Sequence, residues 1–206
     1  MIPEIMLMSS LAKDLETLEE DLVADPIRIS AYHDLPFAIF RYDPEDEFEL
    51  RNRLRLLVFG LDQNHDKQVH FVSLAKLVWK VITEEQGIDY LLKVEKTRGF
   101  KAGQDHVNSL LSSPHFRPIS DEVIKCLDGF DPCEDIVFLV RAGGFAPVIY
   151  RPSVLLDELH QRTMVPIIFF YPGGAKGSTD LCFYNLPGFG GVGAYNYRVK
   201  VYGAKE

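Results

Sequence analysis

Gly188-Phe-Gly190-Gly-Val-Gly193 has the G-x-G-x-x-G spacing of a dinucleotide-binding turn. That chemistry needs the glycines between a strand and a helix, so that helix amides meet a pyrophosphate, with an acid about 20 residues further on for the ribose. Here a strand-like run, Asn196 to Tyr202, follows, and no acid stands at that distance, so the segment reads as a plain loop. Gly173-Gly-Ala-Lys-Gly-Ser-Thr179 has the content of a phosphate-binding loop but not its order. Lys176 precedes Gly177, and strand-like residues follow where a helix would present the lysine and hydroxyl; a surface turn is expected. Asp62-Gln-Asn64-His-Asp66 opens like a calcium loop, yet Lys67 stands where glycine is required and Ser73 where a bidentate glutamate is required. It reads as a polar turn between a helix and a strand.

The histidines, His33, His65, His70, His106, His115 and His160, form neither H-E-x-x-H nor a histidine–cysteine pair at zinc-finger spacing. His33-Asp34 is a candidate for a long-range site; the others read as surface or satisfied core residues. Cys126, Cys133 and Cys182 are odd in number and lack C-x-x-C spacing, which fits reduced, buried thiols in place of a disulfide framework or a nucleophile. No G-x-S-x-G elbow is present. These spacings give no catalytic residue, no metal set and no cofactor.

What remains is position. In open α/β sheets, ligands gather beyond the carboxyl ends of the strands. Those ends carry Arg41 to Asp43, Ser73, Arg141-Ala-Gly143 and Tyr171-Pro-Gly173, and the candidate binding edge is Asp43, Arg141, Arg151 and Tyr171. Arg141 closes a very apolar run, with Arg151 soon after. An arginine there binds an anion or ties down a carboxylate such as Asp43, and the structural tie is the first expectation.

The elements that would position these residues follow from periodicity. Leu11, Leu15, Leu18 and Leu22 predict an acidic amphipathic helix over 9–23, with Ser9-Ser10 as cap. Leu35 to Tyr42 predicts a buried strand, stopped at Asp43-Pro44, where Asp43 caps a helix running to about Leu61. In that helix Leu50, Leu54, Leu57 and Val58 are inward, and Arg51, Arg53 and Arg55 mostly face water. Val69 to Ser73 predicts a second strand, followed by a helix over 74–83. A helical insertion over about 84–130 is read as two or three short helices to Ser112 and another opened by Ser120. Asp135 to Arg141 and Val165 to Tyr171 are the next strands, the latter halted by Pro172-Gly173-Gly174, with a helix Ser153 to Gln161 between them. Two short strands, Asp180 to Tyr184 and Tyr197 to Tyr202, are joined without a helix and are expected to pair antiparallel. The fold class is therefore α/β: a three-layer, mainly parallel sheet with helices on both faces and an antiparallel edge hairpin, in one domain over 1–206.

The composition supports a packed core, with 47% hydrophobic and 25% charged residues. A formal net charge of −8 disfavours general nucleic-acid binding, which needs clustered cations. No apolar stretch reaches the roughly 18–20 residues of a membrane span. The acidic N-terminal stretch lacks a signal-peptide pattern, and the cytoplasm is the expected location.

Leu35-Pro-Phe-Ala-Ile-Phe-Arg-Tyr-Asp-Pro-Glu-Asp-Glu-Phe-Glu-Leu-Arg51 and Val69-His-Phe-Val-Ser-Leu74 resemble the front half of the BrxB family of bacterial BREX phage-defence systems. Asp135-Ile-Val-Phe-Leu-Val-Arg-Ala-Gly143, Ile149-Tyr-Arg-Pro-Ser153, Val165-Pro-Ile-Ile-Phe-Phe-Tyr-Pro-Gly173 and Tyr197-Arg-Val-Lys-Val-Tyr202 resemble its back half. The likeness runs in order from about residue 28 to 202, and the glycine-rich 188–193 loop departs from it. The resemblance implies a cytoplasmic, non-methylating BREX component needed for phage restriction and host-DNA modification. It implies a protein partner, PglZ, the alkaline-phosphatase-like member, within an assembly that includes the methyltransferase. The family has no assigned catalytic residues to carry over. The first functional expectation is a non-catalytic adaptor binding PglZ, with the acidic first helix and the edge strands as contact surfaces. The alternative is a degenerate nucleotide-binding regulatory protein with a ligand site at Arg141 and the Pro172-Gly173 turn. Direct nucleic-acid binding is disfavoured by charge.

Overall fold

The apolar runs form strands whose successive side chains go to opposite faces of one sheet, and both faces are covered. The structure, a computed structural model, describes residues 10–29, 35–147, 149–176, 180–184 and 199–203. The strands are β1 (Phe37–Tyr42), β2 (Gln68–Ser73), β3 (Asp135–Val140), β4 (Ile167–Lys176), β5 (Asp180–Phe183) and β6 (Lys200–Tyr202). Five of them run parallel in the order β2-β3-β4-β1-β6.

Ala38, Phe40, Ile136, Phe138, Ile168, Phe170 and Tyr202 face one core, closed by α1 (Ser10–Leu22) and α2 (Glu47–His65). Their neighbours Phe37, Ile39, Val137, Leu139, Ile167 and Phe169 face a second core. That side is closed by α3 (Leu74–Glu85), α5 (Phe100–Ser112), α6 (Ile119–Cys126) and α7 (Pro152–Leu159). Burial on both faces is why these strands read as unbroken apolar runs. α4 (Ile88–Arg98) buries only Val94 and lies antiparallel-hairpin fashion beside α5, the two joined at Gly99 with φ 88°.

Polar ties fix the layers. Asp21 of α1, nearly inaccessible, accepts a 2.7 Å hydrogen bond from the Tyr202 hydroxyl and pairs with Lys200, which holds α1 against β6. Glu122 of α6, 1% exposed, pairs with Lys80 of α3 at 2.7 Å and with Lys125 at 2.6 Å. Arg41 donates to the carbonyl of Gly203 and, at 3.3 Å, to that of Gly173, joining the ends of β6 and β4 across β1.

The C-terminal strands differ from expectation. β5 and β6 do not pair with each other. β6 lies parallel beside β1, with Ala38 opposite Lys200 and Phe40 opposite Tyr202. Tyr202 and Lys200 reach Asp21 on one side while Val199 and Val201 pack, partly buried, on the other, so the slot beside β1 gives both faces of β6 a partner. The segment 184–199 is long enough for a crossover, although no helical period marks one. Pro172-Gly173-Gly174 does not halt β4 either. Pro172 sits where β1 ends, so its missing donor costs nothing there, and β4 continues to Lys176, paired antiparallel with β5 from Gly173–Phe183 to Lys176–Asp180. The 173–176 part of the expected surface turn is therefore strand. α2 also outruns its expected end: Asp62 to His65 are its last turn, closed by Asp66 in the left-handed region at φ 51°. Two helices, α4 and α5, occupy 88–112. Ser9, His33-Asp34 and the 188–193 loop lie outside the described residues.

Candidate functional site

The carboxyl ends of the strands bound a cleft of about 240 Å³ on the α2 side of the sheet. Tyr42 of β1, Phe71 and Ser73 of β2, Val140 and Arg141 after β3, and Phe170 of β4 form its floor and rim. α2 supplies Glu47, Arg51 and Arg55, and the first turn of α3 supplies Lys76. Ser73 accepts from the Lys76 amide and so caps α3 at the cleft edge.

Four cations and one carboxylate line this space. The carboxylate is already engaged: Glu47 accepts from the Tyr42 hydroxyl and is gripped by Arg51 at 2.8 Å through Nε and 2.7 Å through a terminal nitrogen. Burial, then the hydrogen bond to Glu47, pushes the Tyr42 phenol far above its ordinary range, so it stays a donor. Tyr184 is raised as well, by burial and then by the Glu47 charge. Arg55, Lys76 and Arg141 have no ion pair or hydrogen bond to their side chains among the described residues. Three positive charges thus face one cleft without compensation among the described residues.

Arg141 is held in an uncommon backbone state, φ 58° and ψ 45°, where a non-glycine residue pays a conformational cost. The turn it opens, Ala142 to Phe145, is wedged in place. A Cβ at Gly143 would lie 2.5 Å from the Tyr184 hydroxyl, and one at Gly144 would lie 2.8 Å from the Ala75 backbone. The obstacle at Gly144 is backbone, which cannot step aside as the end of the Tyr184 side chain can, so glycine is required there, three residues after Arg141.

The four expected edge residues do not converge. Asp43 is exposed and caps the turn Pro44–Asp46, its carboxylate accepting from the Glu45 amide at 3.2 Å. The expected Arg141–Asp43 tie is not formed, because that carboxylate serves the cap. Arg151 precedes α7 and lines a separate groove of about 650 Å³ beside Lys101, Asp105 and Asn108 of α5. Tyr171 is buried in the second core, 5.4 Å from the Phe183 ring. Arg41 bonds the Gly173 carbonyl inside β4, where a Pro172-Gly173 turn was expected. Of the four edge residues, Arg141 alone reaches the cleft, joined there by Tyr42 and Ser73 from the expected strand ends. Sequence reasoning missed Arg51, Arg55 and Lys76; the i, i+4 spacing of Arg51 and Arg55 on one helix was the available signal.

The remaining candidates are dispersed. His65, His115 and His160 are exposed, and the buried Nε2 of His106 has no hydrogen-bond partner among the described residues. His70 binds Asp135 at 2.6 Å and stacks on Phe130 at the opposite end of the sheet, tying β2 to β3. Cys126 is half-buried, with its thiol raised by burial, whereas Cys133 is exposed, against the expectation of buried thiols. The side chain of Cys182 lies outside the described residues. Among the described residues, no three of His, Cys, Asp and Glu are placed to hold a metal ion, and no helix is long and apolar enough to cross a membrane.

The family model described as "BREX protein BrxB" matches residues 70–193, which is more than half of the chain. The chain belongs to the BrxB family. A BrxB-family relative from Bacillus cereus (strain H3081.97), named "BREX protein BrxB", is 24% identical over 147 residues, covering 70% of this chain and 74% of that protein. A second, of the same name, from Escherichia coli O9:H4 (strain HS), is 24% identical over 167 residues, covering 80% of this chain and 76% of that protein. No solved structure matches the chain significantly. The matched span begins in β2 and includes Ser73, Lys76 and Arg141 of the cleft, while α2 with Arg51 and Arg55 precedes it.

Proposed function

We propose that this chain is a cytoplasmic, non-catalytic component of a BREX defence system that binds PglZ and supports assembly of the restriction and modification complex. Family membership supports the BREX assignment. The observation that carries the adaptor reading is the outer face of α2. Leu50, Leu54, Leu57 and Leu61 turn one side of the helix into the core, while Phe48 (77% exposed), Leu56 (73%) and Phe59 (67%) stand on the other. At 3.6 residues per turn these three fall within roughly 80° of arc. Phe71, on the edge strand β2, is exposed as well. Large apolar side chains grouped on one exposed face favour protein association over solvation. This face takes precedence as the contact surface over the acidic α1, whose Leu11, Leu15, Leu18 and Leu22 are all buried.

The test is co-purification of the full chain with PglZ. The wild-type protein is expected to co-elute at micromolar concentration. Phe48→Ser combined with Phe59→Ser is expected to weaken capture at least about tenfold, because exposed aromatic anchors dominate such contacts, while the melting temperature stays unchanged. A wild-type chain that never associates with PglZ at that concentration ends the adaptor reading.

A further inference from the structure

We propose that the cleft between α2 and the carboxyl ends of the strands binds a nucleoside di- or triphosphate, with the phosphates among Arg55, Lys76 and Arg141 and the base against Phe71.

Charge is the first ground. The protein carries a formal net charge of −8, yet this cleft gathers four cations against one carboxylate. Glu47 is spent on Arg51 and Tyr42, so the uncompensated charge comes from Arg55, Lys76 and Arg141, on three separate elements. Like charges assembled without a counter-ion repel one another, and an anion relieves that repulsion. A side-chain carboxylate from a protein brings a single negative charge. A phosphate monoester brings about −1.5 to −2, and a polyphosphate matches three cations better still.

Architecture is the second. Arg141 has a left-handed backbone and opens a turn in which Gly144 lies close against the Ala75 backbone. Strain of this sort persists where surrounding packing enforces it, commonly at ligand sites. The cleft also lies beyond the carboxyl ends of parallel strands, where open α/β sheets bind ligands, and the α3 amino terminus with its cap Ser73 adds a favourable dipole at the rim.

Size and surface set the ligand class. A volume of about 240 Å³ lies below the roughly 300–1,000 Å³ of sites that enclose a whole cofactor, so the phosphates enter and the remainder lies outside. Phe71, 47% exposed at the same rim, offers that remainder an aromatic face.

The experiment is calorimetric titration of the full-length protein, at fixed ionic strength, with pyrophosphate, ATP, AMP, a short single-stranded DNA and an oligo-glutamate peptide. Saturable binding is expected for ATP and pyrophosphate, with AMP weaker by about tenfold or more for its missing phosphates. Arg141→Asn, which tolerates the left-handed backbone, and Lys76→Gln are each expected to weaken both ligands about tenfold. Phe71→Ala should weaken ATP and spare pyrophosphate, separating a nucleotide from a free polyphosphate. Lys93→Gln and Lys96→Gln, on α4, should change nothing. Three results would overturn the proposal: no saturable binding of either polyphosphate at millimolar concentration, equal binding by the cleft variants, or binding of DNA or peptide alone. PglZ capture by Lys76→Gln, scored in parallel, keeps this outcome distinct from that of the adaptor reading.

Discussion

Glu122 shows how one buried charge ties α6 to α3. It is 1% exposed, while its partners Lys80 and Lys125 have ammonium groups that reach water. Burial by itself raises the carboxyl, and the hydrogen bonds from Lys125 and Lys80 outweigh it, leaving the group below its ordinary value of 4.5. A carboxyl depressed in the folded state contributes stability that is complete above the unfolded value and drains away as pH falls through the folded one. Urea unfolding from about pH 7 down to about pH 3 should therefore show an acid limb that Glu122→Gln flattens. An unchanged limb in that variant would refute the assignment. Replacing both lysines by methionine should destabilise more than Glu122→Gln at neutral pH, since it strands an ionised carboxylate in the interior. At this scale the sequence was informative where a residue's role is local. Asp43 followed by Pro44 and acids announced a cap, and Arg141 stood out at the end of an apolar run. Tyr171 was misplaced because the strand carrying it does not stop there. Arg51, Arg55 and Lys76 were invisible as a group because their convergence depends on which strands are neighbours.

Among elements, β1 and β3 were legible to within a residue or two, and so was the start of β4, because two-sided burial leaves long apolar runs bounded by turn residues; the end of β4 was not, since the strand runs through Pro172-Gly173-Gly174 to Lys176. The helices with a single buried stripe were legible for the same reason. β6 was not, since its place is decided by partners far away in sequence: Asp21 on α1, Phe40 on β1, and Arg41, which donates to the Gly203 carbonyl just after the strand. The α1–β6 tie makes a measurable claim. Asp21→Ala removes the acceptor of a buried tyrosine hydroxyl and is expected to cost about 1.5–3 kcal/mol, the range for hydrogen bonds to charged groups. Tyr202→Phe should cost less, since Asp21 also pairs with Lys200, and the two should be non-additive in a double-mutant cycle, because both remove the Tyr202–Asp21 hydrogen bond. Strict additivity in chemical denaturation would show that the contact contributes nothing to the docking of α1.

At the scale of the molecule, two cores share one sheet, and the two proposed surfaces lie on the same side of it. The apolar face of α2 points outward, while the arginines beside it lean over the strand ends. α2 is thus common to the proposed partner surface and the proposed phosphate cleft, and a ligand that draws Arg55 inward acts on the helix a partner would grip. Fold class was within reach of the sequence because period and composition agree. The site was not, since no short motif encodes it.

The place of β1 has a consequence for how the chain is made. Phe37 waits for Ile167 and Ala38 waits for Lys200 before either edge of β1 finds its neighbour. At roughly 5–20 residues per second of translation, the wait is on the order of ten seconds. Throughout it, Phe37, Ile39 and Phe40 lack the two strands that flank β1 in the sheet. Nascent chains arrested before Val165 are expected to sediment as aggregates or to ride on chaperones, whereas chains carried through Gly203 should enter the soluble fraction; equal solubility of the two would contradict this order of assembly. The keystone strand is laid first and locked last.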